Sequence, residues 1–166
     1  MKYLLPVLIV LISSAFPASA KTICTIMADA NSGEVLLSQG DCRTRVTPAS
    51  TFKIPLSLMG FDTGYLASAN APVLPFKSGY PDWGGSNWTR PTDPQRWMKY
   101  SVVWYSQQIT AVLGANRLQH YTRQVLDYGN GDVSGDPGRN NGLERSWISS
   151  SLKIAPLEQI AFLRKL

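Results

Sequence analysis

Only one stretch of this chain has the chemistry of a β-hairpin, and little after it could complete a sheet. Thr22 to Ala28 is rich in β-branched and apolar residues, Asp29 to Gly33 carries turn chemistry, and Glu34 to Ser38 resumes an apolar run. Two strands alone are marginal in water, and each leaves an edge of unpaired backbone groups. Beyond residue 49 the sequence reads as helical or irregular, apart from a short strand or turn expected near Trp147 to Ile154. The deficit of strands predicts the front part of a longer α/β protein, with further strands falling after Leu166.

Pro48 opens the helical part. Phe52, Leu56, Leu58 and Met59 recur at helical spacing from Ala49 to Phe61, with Gly64 as a stop. Ala71 to Pro94 is rich in proline and glycine yet carries Trp83 and Trp88, so it predicts an ordered excursion rather than a linker. Asp93-Pro94 supplies an N-cap and a first-turn proline for a helix running through Trp97 and Met98 to Ser101. Val103 to Leu113 and Leu118 to Leu126 predict two helices separated by Gly114-Ala115-Asn116. Asp127 to Gly142 is polar and turn-rich. A last amphipathic helix starts at Pro156, with Leu157, Ile160, Ala161 and Leu163 expected inward and Arg164-Lys165 suited to its C-terminal dipole.

Composition excludes several function classes. With 44% hydrophobic and 16% charged residues the chain suits one compact domain, not a disordered, fibrous or multi-pass membrane protein. The net charge of +5 comes from scattered basic residues, clustered only at Arg164-Lys165, which argues against nucleic-acid binding. One His and two Cys leave too few ligands for a protein-held zinc site, and the lone His120 argues against a Ser-His-Asp triad. Asn130 to Gly135 imitates the start of a calcium loop, but Asn141 stands where a bidentate Glu is required.

The first twenty residues read as an address. Lys2, the apolar run from Tyr3 to Ile12 and the small residues Ala18-Ser19-Ala20 form a secretory signal pattern, leaving residues 21–166 as a partial domain. The apolar run is about half of the ~20 residues needed to cross a bilayer, so no stable membrane anchor is expected after cleavage. Export would place the chain in the periplasm or outside the cell, where Cys24 and Cys42 could pair. Two free thiols remain the alternative at this level.

Ser50-Thr51-Phe52-Lys53 sets a hydroxyl and an amine about one helical turn apart, at the start of a helix. A lysine can take a proton from serine if apolar surroundings lower its pKa toward neutrality. A second copy of the spacing, Ser150-Ser151-Leu152-Lys153, falls where the two side chains need not meet. Ser101-Val102-Val103, Tyr128-Gly129-Asn130 and Trp147 each have a plain structural reading when taken singly. In this order and with the first Ser-x-x-Lys, however, they resemble the class D serine β-lactamases, the oxacillinases. The likeness extends over Pro48 to Met59, Trp97 to Thr110 and Asp127 to Leu166.

The resemblance implies an α/β fold of the serine β-lactamase and penicillin-binding transpeptidase type, an antiparallel sheet with a helical region. It implies a reaction, hydrolysis of the β-lactam ring of penicillin-type antibiotics through a serine acyl-enzyme, giving resistance. Ser50 would be the nucleophile, and Lys53, carboxylated by carbon dioxide or bicarbonate, the general base. Ser101 would relay a proton, Val103 would line an apolar wall, and Trp147 would stabilise the carbamate. Tyr128, Gly129 and Asn130 would shape the site, while Trp83, Trp88 and Trp104 are assigned to packing. No other cofactor and no metal is implied. The alternative is a β-lactam-sensing receptor domain, acylated without turnover. One expected element is absent: the family's Lys-Thr/Ser-Gly strand, since the sole Lys-Thr pair, Lys21-Thr22, is followed by Ile23. That absence matches the strand deficit and predicts a C-terminally shortened chain, with the activity of these 166 residues alone in question.

Overall fold

The computed structural model describes residues 21–166; the signal pattern at residues 1–20 lies outside the described residues. Strands β1 (Cys24–Ala28) and β2 (Val35–Gly40) pair antiparallel, with Cys24 opposite Gly40, Met27 opposite Leu37 and a bulge after Met27. Asp29 builds the turn: its Oδ1 accepts from the backbone N–H of Asn31 at 3.0 Å and of Ser32 at 2.7 Å. Cys24 and Cys42 are joined by a disulfide with Cα atoms 5.1 Å apart, which settles the pairing that sequence left open. It is the two-stranded sheet that the hydrophobic pattern foresaw.

Helix α1 (Lys53–Asp62) follows a 3-10 turn at Ala49–Phe52, and α2 (Pro94–Tyr100) is capped by Asp93, whose side chain accepts from the Arg96 N–H at 2.7 Å. Helix α3 (Val103–His120) is broken at Gly114, where φ is 73° and ψ is 164°. The expected glycine break is therefore a kink, with helix resuming at once. A π turn at Tyr121–Val125 then replaces the end of the helix expected to reach Leu126. Short α4 (Gly142–Arg145) and α5 (Pro156–Leu163) complete the order.

Phe52, Leu56 and Met59 of the first helical unit meet Trp97, Trp104, Tyr105 and Ile109 from α2 and α3 in one core, all fully buried. Burying each such side chain contributes about 1.5–3 kcal/mol relative to leaving it exposed. The excursion between α1 and α2 closes over this core through a Leu74 to Thr92 bridge and a hydrogen bond from the Tyr105 hydroxyl to the Pro72 carbonyl at 2.8 Å.

Four details refine or correct the sequence reading. Of the strand or turn expected at Trp147 to Ile154, residues 147–151 form turns and bends held by Asn130, and strand pairing is limited to one bridge between Val46 and Ile154. On α5 the inward residue is Phe162, packed edge-on to Tyr128 at 5.1 Å, whereas Ala161 and Leu163 are exposed. Arg164 reaches away from its own helix end, donating to the Ala30 and Asn31 carbonyls of the hairpin turn at 3.2 and 3.0 Å. Trp83 is 65% exposed, with one face against Trp88, so it caps the core rather than filling it.

Candidate active site

Three side chains from two places in the sequence meet at the N-terminal end of α1. Ser50 comes from the 3-10 turn, Lys53 from the first residue of α1, and Ser101 from the junction of α2 and α3. The Ser50 and Ser101 hydroxyls are 2.7 Å apart, and Lys53 Nζ donates to Ser101 Oγ at 2.7 Å. The spacing of Ser50 and Lys53 suggests a direct pair; the structure instead interposes Ser101 as the shared group. Ser101 adopts a left-handed conformation, φ 56° and ψ 41°, which is uncommon for a residue with a Cβ and turns its hydroxyl between the other two.

Lys53 is buried, and Ser50 above it is exposed. Loss of solvation disfavours the ammonium and pushes the Lys53 amine down to about 8. Among the described residues its hydrogen-bond partner is a neutral hydroxyl, not a carboxylate that would restore the charge. At pH 7 roughly a tenth of such an amine is already neutral, against a negligible share for a free lysine. A reachable hydroxyl is thus wired through a second hydroxyl to an amine poised near neutrality.

Aromatic packing holds the frame. Phe52, lying between Ser50 and Lys53 in sequence, stacks on buried Trp147 at 5.5 Å and leans on Tyr128 at 5.6 Å. The Trp147 carbonyl accepts from the Ala49 N–H at 3.0 Å and the Thr47 hydroxyl at 2.9 Å, tying the turn before Ser50 to this segment. Burial pushes the Tyr128 phenol up to about 12, and its hydroxyl donates to Gln159 Oε1 at 2.8 Å. Gly129 has φ 60°, and any Cβ there would fall on the Lys153 carbonyl. The Asn130 amide donates to the Ser151 carbonyl at 2.8 Å, and its oxygen accepts from the Lys153 N–H at 2.9 Å. Tyr128, Gly129 and Asn130 therefore brace the segment after Trp147. Val103, half-buried, packs on the core two residues past Ser101.

The second Ser-x-x-Lys is part of this brace. Ser151 Oγ donates to the Asp132 carbonyl at 2.9 Å and accepts from the Gly135 N–H at 2.9 Å, while Lys153 is exposed. A polar cleft of about 620 Å³ beside it is lined by Asp132, Asp136, Ser150 and Lys153, but by none of Ser50, Lys53 or Ser101. The one carboxylate in the stretch that imitates a calcium loop serves as a turn acceptor: Asp132 Oδ1 takes the Ser134 N–H at 2.9 Å. One residue near the site escaped the sequence reading. Trp88, assigned to packing, donates its indole N–H to the Tyr100 carbonyl at 2.8 Å, in the peptide that precedes Ser101. It sits in an irregular loop, where no periodicity marks such a role.

Two hydroxyls and a buried amine thus meet at the head of a helix whose frame is braced by a Tyr-Gly-Asn turn. The chain belongs to the penicillin-binding protein transpeptidase domain family, whose pattern matches residues 23–166. Within that family it is a homologue of the class D β-lactamases. It is 44% identical over 169 residues to Beta-lactamase OXA-9 of Klebsiella pneumoniae, covering 98% of this chain and 61% of the relative. It is 43% identical over 145 residues to Beta-lactamase OXA-1 of Escherichia coli, covering 86% of this chain and 51% of the relative. The crystal structure of OXA-427 class D β-lactamase superposes with a TM-score of 0.82 at 53% identity, covering 87% of this chain and 58% of that one. The chain thus spans between half and two thirds of the length of these relatives.

Proposed function

We propose that this protein hydrolyses the β-lactam ring of penicillin-type antibiotics and so confers resistance. The hydrogen-bonded chain Ser50, Ser101, Lys53 carries the reading. Ser50 Oγ attacks the ring carbonyl, its proton leaves toward the base, and the carbon–nitrogen bond breaks as Ser101 passes a proton to the ring nitrogen. The Ser50 backbone N–H would serve as one oxyanion donor.

Neutral Lys53 is suited to add carbon dioxide, losing a proton to give a carbamate that acts as general base. Burial of the amine and the absence of a paired carboxylate among the described residues support this. Trp147, buried against Phe52, would supply its indole N–H to that anion, and Val103 would wall the site. In the second half-reaction the same base takes a proton from water, whose oxygen attacks the acyl carbon and returns Ser50 to its free form. Carbon dioxide or bicarbonate is consumed in charging Lys53; no metal enters the scheme. The Cys24–Cys42 disulfide supports export to an oxidising compartment, the periplasm or the exterior, with β-lactams as partners rather than nucleic acid or a membrane anchor.

Intact-mass measurement of the full chain after penicillin treatment tests the proposal. A transient adduct on Ser50 that returns to the free mass, faster with added bicarbonate, is expected, and Lys53→Ala should form the adduct far more slowly and fail to release it. A lasting one-to-one adduct would replace hydrolysis by the sensor reading. No adduct with a folded chain would refute acyl transfer by these residues.

A further inference from the structure

Ser101 closes α2 in a left-handed conformation, its N–H and that of Val102, the latter at 3.1 Å, both donating to the Trp97 carbonyl. Outside that cap, two indole bonds on either side of Ser101 share one residue, Trp88. The Trp88 indole N–H donates to the Tyr100 carbonyl at 2.8 Å, fixing the end of α2. The Trp104 indole N–H, from the first turn of α3, donates to the Trp88 carbonyl at 2.7 Å, fixing the start of α3. Trp88 therefore ties together the two helices between which Ser101 turns.

The chain before Trp88 is shaped to admit that indole. Gly84 has φ −80° and ψ 8°, a conformation open to any residue, so backbone freedom is not why glycine stands there. A Cβ at Gly84 would land on the Trp88 ring, at Nε1 and Cε2, the edge that carries the donating N–H. Gly84 lets the backbone close on the ring and press the N–H toward Tyr100. Trp88 itself is buried, with Trp83 capping its other side at 5.3 Å between ring centroids.

We propose that Gly84 and Trp88 form a clamp that positions Ser101 through the Tyr100 carbonyl, making Trp88 a positioning residue for acyl transfer. This rests on the proposed function for its kinetic consequence, but its conformational consequence stands alone. Without the clamp only the Trp97 carbonyl holds the turn, which then relaxes toward negative φ at Ser101 and takes its hydroxyl out of the 2.7 Å contacts with Ser50 and Lys53. Displacement of a relay group by about 1 Å costs on the order of a hundredfold in rate, without a matching loss of substrate binding.

The test compares three variants of the full chain. Trp88→Phe removes the donor; Gly84→Ala keeps it but pushes the ring aside. Trp97→Phe is the control, deleting a buried indole bond, Nε1 to Ser106 Oγ at 2.8 Å, while leaving in place the Trp97 backbone carbonyl that caps Ser101. NMR reads the Ser101 conformation through its intraresidue HN–Hα contact, which is short at positive φ. That signature is expected in the wild type and in Trp97→Phe and is expected to be lost in the other two. The maximal rate of Ser50 acylation by penicillin should fall about tenfold to a hundredfold in both clamp variants, with half-saturation nearly unchanged and a melting loss no larger than that of Trp97→Phe. If Trp88→Phe fails to fold, Gly84→Ala decides alone. Retention of positive φ in folded Gly84→Ala, or acylation equal to the control, overturns the clamp. A wild type that takes no penicillin refutes the acyl-transfer reading, and the conformational comparison then decides the clamp by itself.

Discussion

Along β2 every residue from Val35 to Gly40 is exposed, whereas Phe52, Leu56 and Met59 around the first turns of α1 are wholly buried. Hairpin and helical region therefore stay in place by different means. The helical region is held by burial of large side chains, a force that needs no particular bond. The hairpin has little to bury against, and depends on a few directional links: its own ladder, the Cys24–Cys42 disulfide and the Arg164 hold on its turn. Ser50, Lys53 and Ser101 all stand in the first regime, where positions are fixed to the tolerance of close packing.

The sharpest way to break this comparison is to cut the same kind of side chain in both regions. Phe52→Ala should cost about 3–5 kcal/mol in urea denaturation, since it opens a cavity between Tyr128 and Trp147, while Leu36→Ser on the hairpin should change stability by less than about 0.5 kcal/mol. Comparable losses at the two sites would mean that the hairpin is packed after all.

Removing the disulfide with Cys24→Ser and Cys42→Ser should cost on the order of 3 kcal/mol, as expected for a loop of this size in the chain-entropy account. Hydrogen exchange should then show lost protection confined to residues 24–40, with α1 and α3 still protected. Loss spread evenly over both regions would show that they unfold as one unit.

Lys53 gives a prediction in pH. Its amine is depressed in the folded chain from 10.5 to about 8, so between those values the unfolded chain binds more protons. Stability should therefore rise as pH climbs from about 8 toward 10.5, and the cost of burying the ammonium is fully present below that window. Lys53→Met should flatten this slope and raise the melting temperature by a few degrees at pH 7, and under the proposed function it should abolish turnover. A pH slope that survives in Lys53→Met would assign the effect elsewhere. The smallest effect is expected from Arg164→Ala, below about 1 kcal/mol because the contact is exposed, read best as faster exchange at the Ala30–Gly33 turn.

Much of the secondary structure followed from local chemistry. The hairpin, the Asp93 cap of α2 and the helix after Ser50 each rest on residues adjacent in sequence, so pattern and turn preference suffice to find them. Sequence left the segment after Trp147 open between strand and turn because its partners, Asn130 and Val46, are remote; they hold it as turns and one bridge. Phe162 was passed over for Ala161 and Leu163 because a short helix shows its period poorly, and only Tyr128 reveals the buried side.

The site divides the same way. Sequence by itself placed Ser50 and Lys53 one turn apart, and the resemblance it carries named Ser101, the Tyr128 turn and Trp147 as their expected companions, since residue type and order can be read along the chain. Tertiary structure decided how they lie together. It placed Ser101 between the other two, desolvated Lys53 and routed the Trp88 N–H to the peptide before Ser101. Those are through-space quantities, a left-handed backbone, a local dielectric and a contact between loop and helix. They arise only when distant segments are packed against one another.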